Sequence, residues 1–123
     1  MSGIRKAAKV ARWGAAAAFL LVAWMSLAPD FDTSDMDQLP IINALAHVVM
    51  YFIMTICILA GWYKQLPRAV PTAALIAACM EAGQIFVPGR NFDMIELAGN
   101  LLGFGLGWAF FLSLRQISRD VTL

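Results

Sequence analysis

The sequence predicts an all-α polytopic membrane protein, folded as a four-helix transmembrane bundle. Hydrophobic residues make up 61% of its 123 residues and charged residues only 14%, whereas a soluble domain is about half apolar and about a quarter charged. A chain this short cannot bury such an excess of apolar side chains in a soluble core. The composition therefore argues against a soluble enzyme or a disordered chain, and the net charge of +1 argues against a nucleic-acid binder.

Four apolar windows lie between the charged segments, and each is close to the roughly 20 residues that a helix needs to cross a bilayer. The windows cover residues 13–28, 41–63, 69–87 and 95–114. The five prolines lie between the windows or at their rims, where proline is tolerated. Because Pro88-Gly89 ends the third helix shortly before the fourth begins, we expect these two helices to form an antiparallel hairpin. Residues 1–123 then form a single transmembrane domain.

The first window also has features of a signal peptide. Basic residues precede a short apolar stretch that ends at Ser26-Leu27-Ala28, a small-x-small pattern typical of signal cleavage. Trp24 lies only a few residues before the cleavage point, where a bulky side chain is unusual. We therefore expect an uncleaved first span, with cleavage after Ala28 as the alternative.

The basic residues predict the orientation in the membrane. If the chain crosses four times, eight of its nine Lys and Arg residues lie on one side. They are Arg5, Lys6, Lys9, Arg12, Lys64, Arg68, Arg115 and Arg119. The other side carries Arg90 and a group of aspartates. Because basic residues mark cytoplasmic loops, we expect both termini in the cytoplasm and the first and third loops outside.

Small residues predict where helices approach closely. Gly99, Gly103 and Gly107 recur at four-residue intervals on the fourth helix, a spacing that lets two helix backbones pack together. The short connection makes the third helix the expected partner. Its small residues are Ala73, Ala74, Ala77 and Ala78.

The two cysteines, Cys57 and Cys79, are expected to lie at different depths. At about 1.5 Å per residue, they are roughly 24 Å and roughly 12 Å from the outer ends of their helices. A disulfide cannot span that difference. We expect both to be free cysteines in the apolar core.

Six side chains with a carboxyl, imidazole or amide group lie inside the apolar windows. A charged side chain at mid-bilayer costs about 2.5–3.5 kcal/mol, so such residues usually face the bundle interior and mark function. The six are Asn43, His47, Glu81, Gln84, Glu96 and Asn100, with Asp93 and Arg90 just beyond the membrane rim.

These polar residues share a depth and a set of helix faces. Asn43, His47 and Tyr51 recur at i, i+4 and i+8 on the second helix. On the fourth helix, Glu96, Asn100 and Gly103 recur at i, i+4 and i+7. His47 and Glu81 both lie about six residues below the outer ends of their helices. We expect one polar pocket that opens to the outside and is capped by the loop carrying Arg90. The alternative is that these side chains only hold the helices together.

Other kinds of site are less well supported. His47, Glu81 and Glu96 have the chemistry of metal ligands, but the chain has a single histidine and no paired-ligand spacing, so we expect no metal and no cofactor. Ser26 and Ser113 are expected to lie far from His47, which argues against a serine nucleophile. No phosphate-binding or dinucleotide-binding motif is present.

The segment from Glu81 to Asn100 resembles the signature of the VanZ-like family of small, mostly four-span bacterial membrane proteins. It has Glu-x-x-Gln-x-Phe at residues 81–86, an arginine in the next loop, and then an acid and an asparagine that open the last helix. His47 with Tyr51 resembles the histidine of the family's second helix, although Asn43-Ala44 stands where many members have Asp-Lys.

The resemblance covers about residues 30–114. It implies a location in the bacterial cytoplasmic (inner) membrane and a link to the cell envelope. The founding member is associated with resistance to the glycopeptide antibiotic teicoplanin. The resemblance implies no particular reaction.

Three functions follow from these observations. The one we favour is a binding protein whose pocket takes an anionic lipid-linked or glycopeptide-type ligand, such as an undecaprenyl-linked precursor, a phospholipid or a lipoglycopeptide. Its predicted ligand contacts are Arg90, Gln84, Asp93, Glu96, Asn100, Tyr51 and Asn43. The second is a membrane enzyme in which Glu81 and His47 provide acid-base catalysis on a lipid-linked phosphate. The third is an accessory subunit with no site of its own.

Overall fold

A computed structural model of the protein describes residues 2–27, 40–88 and 93–121. Every regular element in these three segments is helical, as predicted. The helices are α1 (Ser2–Leu27), α2 (Pro40–Gly61), α3 (Leu66–Gly83) and α4 (Met94–Val121), and a 3₁₀ turn over Gln84–Phe86 extends α3.

All four α-helices are long and apolar enough to cross a membrane. The candidate spans are Gly3–Leu27, Ala44–Gly61, Leu66–Phe86 and Met94–Val121. Two helices extend well beyond the predicted apolar windows, since α1 begins at Ser2 and α4 continues to Val121. The reason is that Lys, Arg and Gln are good helix formers, so the backbone ladder continues through the polar flanks.

Helix α2 lies at the centre of the bundle. It contacts the other three helices, and α3 does so as well, while α1 and α4 each pack against this central pair. The buried face of α3 is a row of small residues at four-residue spacing: Ala69, Ala73 and Ala77. Glu81 continues this row and is also buried. The face that packs α3 into the bundle therefore carries a carboxyl group at its last position.

The glycine row of α4 packs against α2, so the prediction that α3 is its partner is wrong. A Cβ atom added to Gly99 would lie 3.1 Å from the Ala44 carbonyl oxygen, and one added to Gly107 would lie 2.9 Å from that of Phe52. A Cβ atom on Gly103 would overlap the Val48 carbonyl oxygen. The short loop makes α3 and α4 neighbours, but it does not determine which face of α4 turns toward α3.

Both cysteines are free. Cys57 is half-buried, whereas Cys79 is exposed on the outer surface of the bundle. The expectation that both lie in the core is therefore wrong for Cys79. Its neighbours Ala77 and Glu81 occupy the buried face of α3, and a residue two positions from each projects to another side of the helix.

Candidate functional site

Polar residues from α2, α3 and α4 come together at one end of the bundle. Glu81 and Asn100 are fully buried, Gln84 is 1% exposed and His47 is 5% exposed. Tyr51 is buried beside them, with its ring 6.3 Å from the His47 ring. We call these five residues the polar cluster. All five were predicted from the sequence as site residues.

His47 and Asn100 form the centre of the polar cluster. The Asn100 side-chain amide donates a hydrogen bond to the Ala77 carbonyl oxygen at 3.2 Å. Its Oδ1 atom therefore faces His47 Nδ1, at 2.8 Å. Because an amide oxygen only accepts, Nδ1 must carry the proton. In the neutral imidazole this leaves Nε2 as a proton acceptor, so Asn100 determines which His47 nitrogen can act as a base.

Glu81 joins the end of α3 to the start of α4. Its Oε1 atom accepts a hydrogen bond from the Asp93 backbone N–H at 2.9 Å. Asp93 in turn caps α4, since its Oδ1 atom accepts a hydrogen bond from the Ile95 backbone N–H at 2.8 Å. Asp93 was predicted to contact a ligand. In the structure its carboxylate caps the helix while its backbone positions Glu81.

Three buried atoms of the polar cluster have unused hydrogen-bonding capacity. Glu81 Oε2, Gln84 Nε2 and the Tyr51 hydroxyl oxygen have no hydrogen-bond partner within the described segments. The Glu81 carboxyl group also interacts electrostatically with Glu96, His47 and Asp93. Since a buried polar group without a partner typically costs about 1–3 kcal/mol, such atoms need an explanation.

Glu96 lies at the edge of this group. It is half-buried in the first turn of α4 and interacts electrostatically with both Glu81 and Tyr51. The structure thus places the two membrane-embedded glutamates of α3 and α4 close to each other, as their predicted depths require.

Ser26 lies beside the polar cluster, so the prediction that it is far from His47 is wrong. It is buried at the end of α1, next to the Tyr51 hydroxyl group. Together with His47 and Tyr51 it lines a cavity of about 10 Å³. The signal was present in the spacing, because Ser26 follows Val22 by four residues on the buried stripe that Ala8, Ala15 and Val22 form at seven-residue intervals.

For two of the predicted contact residues, the structure does not describe the side chain. Arg90 lies outside the described residues, and so does the side chain of Asn43. The loops over residues 28–39 and 89–92 would form the mouth of the predicted pocket, and they also lie outside the described residues. An outward-opening pocket therefore stays a prediction, and the polar cluster would be its floor.

Comparison with known protein families shows which family the chain belongs to. The family model of VanZ/LLP1 proteins matches residues 7–115. The chain belongs to the VanZ/LLP1 family. No curated protein and no solved structure shows significant similarity to it. The family match and the four apolar helices together identify a multi-pass membrane protein.

The VanZ-like motif residues lie close together in this family member. Glu81 and Gln84 lie at the end of the third span, and Asp93 and Asn100 lie at the start of the fourth. Hydrogen bonds across the two spans bring these residues together at one end of the bundle. No group of three or more His, Cys, Asp or Glu residues is arranged to hold a metal ion in the described segments. The polar cluster has the chemistry of a hydrogen-bonding and proton-accepting site.

Proposed function

We propose that this VanZ/LLP1 protein is a binding protein of the bacterial cytoplasmic membrane. Its termini are cytoplasmic, and the polar cluster is the floor of a site that faces outward. The ligand is an anionic lipid-linked envelope precursor or a glycopeptide-type molecule. Capture of such a ligand would change the access of a glycopeptide antibiotic such as teicoplanin to its target.

The observation that carries this proposal is Glu81 Oε2, which has no hydrogen-bond partner among the described residues. It is fully buried near the C-terminal end of α3. The other carboxylate oxygen, Oε1, already accepts a hydrogen bond from the Asp93 N–H. Gln84 Nε2 offers a donor nearby on the same side of the bundle. A donor and an acceptor at one level suit the hydroxyl and amide groups of a sugar or a peptide.

Arg90 completes the proposed site. It follows Gln84 by six positions and precedes Asp93 by three, so the loop that carries it starts and ends beside the polar cluster. An arginine presents a planar set of donors that matches a phosphate or carboxylate. The anionic part of the ligand would then contact Arg90, and its neutral polar groups would contact Glu81 and Gln84.

Native mass spectrometry of the purified protein tests the proposal. We expect the parent to retain a lipid-linked or glycopeptide-type molecule, and Arg90→Ala to lose at least about tenfold in affinity, equivalent to about 1.4 kcal/mol. Arg115→Ala is the matched control, because it removes an exposed arginine from the far end of α4. If Arg90→Ala and Glu81→Gln both fold, insert and retain the same molecule as the parent, the polar cluster only stabilises the bundle.

The orientation has its own test. Green fluorescent protein becomes fluorescent when it folds in the cytoplasm, so a fusion after Leu123 should fluoresce. Alkaline phosphatase fused at the same point should be inactive, because it is active only outside the cytoplasm. Active phosphatase would place the C-terminus outside, and the polar cluster would then face the cytoplasm.

A second candidate function is acid-base catalysis on the same ligand. It is favoured by the hydrogen bond from His47 Nδ1 to Asn100, which leaves Nε2 as the proton-accepting nitrogen of a ring that interacts electrostatically with Glu81. Retained ligand capture with lost turnover in Glu81→Gln would identify an enzyme. Equal capture and no turnover by the parent would leave the binding function.

A further inference from the structure

The opposite end of the bundle contains a larger cavity than the one beside the polar cluster. Its volume is about 400 Å³, and it lies between α1 and α3 over part of α2. Small and apolar side chains form its walls: Ala15, Ala16 and Phe19 on α1, Ile58 on α2, and Ala69 and Ile76 on α3. We call this cavity the α1–α3 slot. Its volume is within the range of about 300–1,000 Å³ that is usual for ligand sites.

A basic cavity adjoins the α1–α3 slot. It has a volume of about 470 Å³ and is lined by Arg5, Lys9 and Lys64. Arg12, Trp62 and Gln65 line both cavities, so the two share a boundary. Arg68 lies on the slot side of this boundary. None of the described residues that line either cavity is acidic.

Arg12 is held in place at the boundary between the two cavities. Its Nε–H group donates a 2.8 Å hydrogen bond to the Gly61 carbonyl oxygen at the end of α2. Its guanidinium carbon lies 5.4 Å from the centre of the Trp62 ring. Gly61 permits this approach, because a Cβ atom there would lie 2.9 Å from Arg12 Cγ. A guanidinium group has four further N–H donors, so Arg12 can bind an anion while it keeps its contact with Gly61.

The two helices impose a direction on any occupant. From Arg12 to Phe19, α1 advances about 10 Å, and from Arg68 to Ile76, α3 advances about 12 Å. Both helices therefore pass from basic to apolar residues over similar distances and in the same direction. A molecule that fits must have a negatively charged head and an apolar tail that extends along the helices into the bilayer.

We propose that the α1–α3 slot and the basic cavity bind an anionic phospholipid, with its phosphate beside Arg12 and one acyl chain along Phe19 and Ile76. The five basic residues that line the two cavities complement a negative headgroup, because no described residue of either lining is acidic. Basic cavities between transmembrane helices are suited to such lipids. This site is separate from the polar cluster, since Arg68 and Glu81 are about 20 Å apart along α3.

Lipid titration of the full chain tests the headgroup part. Phosphatidylglycerol and phosphatidylcholine with identical acyl chains are added to the detergent-purified protein, and bound lipids are counted by native mass spectrometry. We expect phosphatidylglycerol to bind more tightly than phosphatidylcholine. Lys9→Gln combined with Arg68→Gln should reduce this preference by about tenfold or more.

The matched control is Lys6→Gln combined with Arg115→Gln. It removes the same two residue types from exposed positions that line neither cavity. We expect it to keep the parent's preference. An equal loss in both double variants would mean general attraction between charges, and no loss in either would mean that these cations bind no lipid; each result would overturn the proposal.

Filling the slot tests the tail part. Ala16 and its neighbour Ala17 are both exposed, but only Ala16 lines the slot. Ala16→Leu should reduce phosphatidylglycerol binding several-fold, and Ala17→Leu should leave it unchanged. Equal binding by these two variants would show that no acyl chain occupies the slot. Glu81→Gln should leave phosphatidylglycerol binding unchanged, which separates this site from the outward one.

Discussion

The polar side chains are buried at one end of this bundle and exposed at the other. At the end that holds the polar cluster, Glu81 and Asn100 are fully buried and bond to neighbouring helices. At the basic end, Lys9, Lys64 and Arg68 are exposed around open cavities. The difference shows that polar groups below the membrane surface must bind each other or a ligand, whereas groups at the surface can bind water and lipid headgroups.

The largest expected effect comes from the helix contact on which the polar cluster depends. Gly103→Ala places a Cβ atom where the Val48 carbonyl oxygen lies, so α2 and α4 must separate. We expect a loss of about 3 kcal/mol in the free energy of unfolding, measured by titration into denaturing detergent.

Gly105→Ala is the control for this change. Gly105 has no heavy atom within 4 Å of the added Cβ atom, and alanine is the better helix former. It should leave the stability unchanged or raise it slightly. If both variants lose the same stability, the close approach of α2 and α4 is not what the glycine row provides.

The next effect concerns the hydrogen bonds within the polar cluster. Asn100→Leu removes the bonds to His47 and to the Ala77 carbonyl oxygen. We expect a loss of about 1–2 kcal/mol, because both partners stay buried without a replacement. Ser113→Ala removes a bond from an exposed side chain of the same helix and should change the stability very little. Comparable losses in the two variants would contradict the special role of the polar cluster.

A smaller effect is expected at the start of α4. Asp93→Ala removes the hydrogen bond to the Ile95 N–H, which caps the helix, and should cost about 1 kcal/mol. Asp93→Ser should restore most of this loss, because serine is also a good cap. Asp120→Ala changes an acid at the other end of α4 and should not destabilise the protein. A serine variant as unstable as the alanine variant would show that the carboxylate acts otherwise than as a cap.

The smallest effect on stability should occur at the basic end. Lys9→Gln with Arg68→Gln removes two exposed charges, and we expect the free energy of unfolding to change by less than about 0.5 kcal/mol. A loss as large as that of Asn100→Leu would mean that the basic end is built like the polar one, with its cations stabilising the fold. Thermal unfolding monitored by circular dichroism distinguishes the two results.

Much of the site could be predicted because depth in a helix follows from residue count. His47, Glu81 and Asn100 were placed at one level from hydropathy and a fixed rise per residue, and the structure brings them together. Ser26 was missed because a serine at the end of a span is not unusual by itself, and only its spacing from Val22 marks it as part of the buried stripe of α1. The partner of the glycine row was assigned wrongly because loop length determines which helices are neighbours but not how each is rotated about its axis.

The sequence by itself determined the number of spans, their order and the depth of each polar group, since these depend on local hydropathy and regular helix geometry. Only the tertiary structure decided that α4 packs on α2, that Asn100 orients the His47 ring, and that α1 and α3 leave a slot beside Arg12. These features depend on how helices distant in sequence rotate and pack, because side-chain shape and hydrogen bonding across the bundle select one arrangement among many with the same hydropathy.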